Sequence, residues 1–183
     1  VLGTGTTTTT VANLAGSGTG LVVTNADGTL SRSAISATAL TSLNCTATGD
    51  NATCYGPNAS ATGGNASAFG SSAKASGTDA TAVGERALAS SNASTALGAG
   101  AKASNSGSTA LGKQANAAGE AATALGVDST ASGSYATALG VQSNAAYANS
   151  TAVGTSAATT RADQIVLGTG TTTTTVANLA GSG

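Results

Sequence analysis

The stretch Thr109-Ala110-Leu111-Gly112 recurs along the chain. Its relatives are Thr81-Ala82-Val83-Gly84, Thr95-Ala96-Leu97-Gly98, Thr123-Ala124-Leu125-Gly126, Thr137-Ala138-Leu139-Gly140 and Thr151-Ala152-Val153-Gly154. The closing glycines stand 14 residues apart, and the same register reaches back to Gly70 and Gly56 and forward to Gly168. A short fixed period decides architecture first, because each repeat must be one small unit stacked on the next.

Numbered from its glycine, each repeat has a small residue at every second place. Ala stands two positions before it, Ala or Ser four before it (Ala80, Ser94, Ser108, Ala122), and Ala or Ser three and five after it (Ala101 and Ala103, Ser129 and Ala131). Seven positions after the glycine comes a second turn-prone site, occupied by Gly63, Gly77, Ser91, Asn105, Gly119 and Gly133. Alternation of period two means strands. Each repeat is therefore read as two short strands and two tight turns. The expected fold is all-β, a flattened parallel β-solenoid whose two sheets enclose a thin interior of Ala and Ser.

The outward residues differ between the two strands. On the second strand they are mostly polar, as in Ser72 with Lys74, Gln114 with Asn116, Asp128 with Thr130 and Gln142 with Asn144. On the first strand they pair Thr with an aliphatic residue. Thr95, Thr109, Thr123 and Thr137 form one row, and Val83, Leu97, Leu111, Leu125, Leu139 and Val153 form the next. With coils about 4.8 Å apart, nine of them make a rod roughly 40 Å long. An apolar stripe of that length is unusual on a monomer. Each buried Leu contributes about 1.5–3 kcal/mol, so the stripe calls for a partner, most simply further copies of the same chain.

Composition excludes several functions. The chain has 183 residues, with 2% aromatic and 7% charged residues and no Trp, Met or His. Disordered chains of low hydrophobicity carry high charge and much Pro; here there is one Pro and the small residues keep strict order. A net charge of −1 without cationic clusters argues against nucleic-acid binding. Without His the commonest general base and metal ligand are missing, so no catalytic, cofactor or metal residue is nominated. A pectin-cleaving β-helix would need a charged or metal-binding cleft, and the sequence suggests none. No apolar run is long enough to span a bilayer as a helix.

Residues 1–18 recur identically as residues 166–183. The expectation is a tandem array with a 165-residue unit, any targeting or anchoring segment lying elsewhere. Residues 1–43 are read as a connector holding the tail of a preceding roll, a Thr run (Thr6 to Thr10) and a β-hairpin. The hairpin pairs the run from Thr19 to Thr24 with the run from Thr29 to Arg32 around Asp27-Gly28, a strong turn dipeptide. Residues 33–43 fit a short strand, an irregular connector or a helical turn. Residues 44–168 form the roll. Residues 169–183, identical to 4–18, begin the next connector.

In the repeat register Cys45 and Cys54 both take inward slots on facing strands of one coil. This predicts an intrachain disulfide stapling the first coil, in keeping with an oxidising exterior; two free thiols filling Ala slots is the alternative. Asn44, Asn51, Asn58, Asn65, Asn92 and Asn149 begin N-x-S/T sequons, but Asn suits turns and the repeat itself supplies the Ser or Thr. The Thr row (Thr53, Thr81, Thr95, Thr109, Thr123, Thr137, Thr151, with Ser67) invites comparison with ice-binding faces, although Leu shares that face. Lys74, Glu85, Arg86, Lys102, Lys113 and Glu120 read as solvating residues that also guard against unwanted sheet association. Tyr135 and Tyr147 fall at or near coil edges; packing onto a neighbouring coil is the expectation, and a surface contact is the alternative.

Residues 44–168 resemble the head domain of YadA-like trimeric autotransporter adhesins, which carry 14-residue repeats built on a small residue, Ala, an aliphatic residue and Gly. Ser94-Thr95-Ala96-Leu97-Gly98 and Ser108-Thr109-Ala110-Leu111-Gly112 show the pattern. The resemblance implies a left-handed parallel β-roll and a homotrimer with the aliphatic row toward its axis. It also implies display on a bacterial cell surface, through an outer-membrane anchor beyond this chain, and non-catalytic adhesion to host surface proteins, matrix or abiotic surfaces. The family's neck and heptad stalk do not follow Gly168, which suggests rolls alternating with short connectors. A purely structural filament with its binding tip elsewhere is the other reading, and an ice-binding solenoid the minor one.

Overall fold

The computed structural model describes residues 21–24, 30–33 and 45–171. The chain divides into two compact units, Val1–Thr41 and Ser42–Gly183. In the first, β1 (Leu21–Thr24) and β2 (Leu30–Ser33) pair antiparallel, Leu21 opposite Ser33 and Thr24 opposite Leu30. A hairpin therefore stands where the sequence places one, its return strand shifted by one residue. The Asp27-Gly28 turn, the Thr run of residues 6–10 and residues 34–44 lie outside the described residues.

The second unit is two parallel sheets wound by one chain. A nine-stranded sheet runs from Thr53–Tyr55 to Ile165–Leu167, and an eight-stranded sheet from Thr46–Ala47 to Asn144–Ala145. Neighbouring strands are one coil apart and in register. Thr95 pairs with Thr109 and then Thr123, Ala96 with Ala110 and Ala124, and Leu97 with Leu111 and Leu125. No helix occurs among the described residues. The expected solenoid of 14-residue coils is the observed fold.

Strands of two or three residues hold because every coil supplies the next with the same hydrogen bonds. The Thr109 N–H donates to the Ala122 carbonyl at 2.8 Å, and the Gly112 N–H to the Leu97 carbonyl at 2.9 Å. Each such bond is worth about 1 kcal/mol net; in-register repetition leaves few backbone groups without a partner. The interior between the sheets contains Ala, a few Ser and Thr159, and the largest fully buried side chains are serines. Ala124 and Ala138 are fully buried, while their neighbours Leu125 and Leu139 face outward. So thin a core leaves backbone pairing to carry more of the stability than in an ordinary domain.

Both corners of each coil pass through a left-handed residue. It falls every seven residues, as at Asn51, Asn58, Asn65, Ser72, Asp79 and Arg86, with φ between 54° and 58°. The two turn sites read from the sequence, at the register glycine and seven positions after it, each lie two positions before the left-handed residue. At the first corner Gly112 has φ 136° and the left-handed residue is Gln114, two positions on. A Cβ on Gly112 would lie 2.5 Å from the Gly126 carbonyl oxygen, so this glycine is required for both conformation and space. At the second corner Gly119 lacks a positive φ, yet a Cβ there would approach the Gly133 carbonyl oxygen to 1.9 Å. Close stacking of backbone on backbone explains that glycine.

Candidate interaction surfaces

The nine-stranded sheet turns its outer face to solvent along its whole length. Its aliphatic and aromatic row reads Tyr55, Phe69, Val83, Leu97, Leu111, Leu125, Leu139, Val153 and Leu167, one residue per strand, set in line by the register. Leu97 is 42% exposed and Leu111 37%; for apolar side chains on a flat sheet these are large values. Beside them Thr81, Thr95, Thr109, Thr123, Thr137 and Thr151 are half-buried and equally regular. No strand residue on this face carries a charge. Val127 and Val141, one position after the first-corner glycines Gly126 and Gly140, are also exposed.

The opposite sheet presents Lys74, Leu88, Lys102, Asn116, Thr130 and Asn144 in one column. Four of the six acidic residues of the roll, Asp50, Asp79, Glu120 and Asp163, lie at the second corner. Arg86, Lys102 and Lys113, with Glu85 and Asp128, are among the residues that line an open cleft beside the first corner. No group of His, Cys, Asp and Glu able to hold a metal ion occurs among the described residues. No helix among them is long and apolar enough to cross a membrane.

Cys45 and Cys54 are joined by a disulfide across the first coil, with Cα atoms 5.9 Å apart. Both pack against the Ala interior, and Cys54 continues the column that holds Ala68 in the next coil. Tyr135 and Tyr147 are 59% and 45% exposed. They therefore project from the second corner, against the expectation of packing onto a neighbouring coil. Asn51, Asn58, Asn65 and Asn149 sit at left-handed corner positions. Three of their side chains form ladders: the Asn51 amide donates to Asn65, Asn65 to Asp79, and Asn149 to Asp163 at 3.0 Å. A turn role accounts for those asparagines.

A family model described as the YadA head domain repeat (2 copies) matches residues 47–73, 75–101, 103–129 and 131–157. Each matched block spans about two coils. Among solved structures, the crystal structure of the collagen-binding domain of the Yersinia adhesin YadA is similar, at 25% sequence identity and a TM-score of 0.55. The likeness covers 67% of this chain and 76% of that one. No curated protein sequence matches the chain.

Proposed function

The chain belongs to the YadA head domain family, and on that premise we propose that its roll, as a homotrimer, attaches a cell to matrix proteins of the collagen class. The family is one of cell-surface adhesins and not of enzymes. Neither a purely structural filament nor an ice-binding face is favoured by that membership.

The observation that supports self-association is the uncharged face of the nine-stranded sheet, with Leu97, Leu111, Leu125 and Leu139 exposed in one line. Burying that row against sister chains removes apolar area at about 25 cal/mol per Å². It also leaves the Ala interior of each chain undisturbed. The number three follows the family, as does anchoring in an outer membrane through segments beyond this chain. The collagen class of target follows the similar Yersinia domain. Shallow contacts repeated along a rod and multiplied by three chains raise avidity without any deep pocket.

Light scattering of the full chain should give the mass of three copies; a stable monomer would overturn the oligomeric half of the proposal. Solid-phase binding to native collagen should saturate and be lost against heat-denatured collagen if the triple helix is recognised. Absence of binding to either form would remove the collagen half.

A further inference from the structure

Coil 98–112 is stripped of side chains at its first corner. The two positions after the glycine hold Ala99 and Gly100, where the preceding coil has Glu85 and Arg86 and the following coil has Lys113 and Gln114. Long side chains thus flank short ones. The gap between them is an open cleft of about 670 Å³. It continues onto the outer face of the eight-stranded sheet, where Lys102, Asn116 and Thr130 line it.

Charge collects at this place. Four of the chain's six cationic residues, Lys74, Arg86, Lys102 and Lys113, fall within residues 74–113, with only two of its seven acidic ones, Asp79 and Glu85. Arg86 lies 3.3 Å from Glu85, both well exposed. The cleft is lined by three cations against Glu85 and Asp128. On a weakly anionic chain the lining of this cleft therefore holds an excess of one positive charge, three against two, which favours an anionic partner.

The rest of the lining selects the kind of anion. The stripped corner offers Ala99 and Gly100, and the polar side chains beside it are Gln114, Asn116 and Thr130. Amides and hydroxyls both donate and accept, as sugar hydroxyls do. None of the residues that line the cleft belongs to a strand of the nine-stranded sheet. We propose that this cleft binds an anionic polysaccharide, a sulfated or carboxylated glycan chain lying across the roll. The proposal deepens the adhesive reading and rests on it.

Heparin is a suitable probe, with polyglutamate as the acidic-peptide comparison, both presented to the full chain at physiological salt. Heparin should bind, and binding should weaken with added salt. The triple variant Arg86→Gln, Lys102→Gln, Lys113→Gln should bind about tenfold more weakly, as expected from three exposed ion pairs. Arg161→Gln, in the last coil, should bind as the parent does. Gly100→Gln is the decisive variant. It restores at φ 67° a side chain that Gln114 carries at φ 57°, and its Cβ meets only the Gln114 side chain, at 3.5 Å. It fills the cleft and keeps every charge, so binding should fall as far as in the triple variant. Unchanged binding by Gly100→Gln, or by the triple variant, would overturn the cleft. Polyglutamate binding as tightly as heparin would overturn the polysaccharide. Collagen binding, measured in parallel on the parent chain, can fail while heparin binding persists, which separates failure of the collagen reading from failure of the cleft.

Discussion

The hydroxyl of Ser108 accepts the N–H of Asn105 at 3.2 Å and donates back to the carbonyl of the same residue at 2.6 Å. The same relationship joins Ser94 to Ser91, and the Ser150 hydroxyl donates to the Tyr147 carbonyl at 2.7 Å. These are three of the four second corners of the roll that lack glycine; at the fourth, Arg161, Gln164 stands in the place of the serine. Where glycine is present, at Gly63, Gly77, Gly119 and Gly133, the residue three positions later is Ala66, Ala80, Ala122 or Ala136. A glycine corner lies tight enough for the Gly119 N–H to reach the Ala131 carbonyl of the next coil at 3.2 Å. A Cβ cannot be accommodated there and the corner must shift; at Ser91 and Asn105 a buried serine hydroxyl then takes the backbone N–H, while the corner carbonyl accepts the N–H three residues on at both kinds of corner.

The pairing makes the two positions energetically coupled. Ser108→Ala should cost about 1 kcal/mol, because it removes the hydroxyl that accepts the Asn105 N–H. Asn105→Gly in the same chain should restore most of that loss. A double-mutant cycle from denaturant melts measures the coupling, and simple additivity would show the two sites to be independent.

Glycines of the roll should differ sharply in tolerance. Gly112→Ala brings a Cβ to 2.5 Å from backbone in a conformation that L-residues avoid, and should cost at least about 2–3 kcal/mol. Gly107 has φ 65°, and a Cβ added there would keep 3.7 Å from its nearest neighbour, so it should accept Asn with little change. Thermal melts of the two variants provide the comparison, and equal losses would contradict it.

The disulfide closes a loop of nine residues at one end of the roll, so its effect should stay local. Replacing both cysteines by Ala, the residue of the equivalent slots elsewhere, should lower the local stability of the first coil by about 2–3 kcal/mol. Hydrogen exchange should accelerate for amides of residues 46–55 and hold steady for residues 95–125. Uniform acceleration along the roll would show that the bond supports the whole fold.

Leu111→Asp with Leu125→Asp places charges in the exposed row without touching the interior. The assembly should fall to single chains while the circular-dichroism spectrum keeps its β form. An unchanged mass in light scattering would mean that the row is not an interface.

Much of this architecture is legible in residues alone. The 14-residue spacing of Gly56 to Gly168, the alternation of Ala82 or Ala110 with outward Thr and Leu, and the inward slots of Cys45 and Cys54 follow from period and parity. In a solenoid each residue's neighbour is its own counterpart one repeat away, so sequence position translates directly into spatial position. The Ala99-Gly100 cleft was hidden, because it arises from what the coils before and after place around two small residues. The serine caps were hidden for a related reason: Ser108 and Asn105 look like ordinary low-complexity residues until their backbone groups have coordinates.

By itself, then, the sequence determined the coil, its two faces and the thinness of its interior, since a strict period leaves one way to alternate small and large residues on a strand. Only the tertiary structure decided which corner residue turns left-handed, which glycines are required for space, and where the long side chains of neighbouring coils open a cleft. Those outcomes depend on distances of a few ångströms between stacked coils, and no pattern of residue types encodes them.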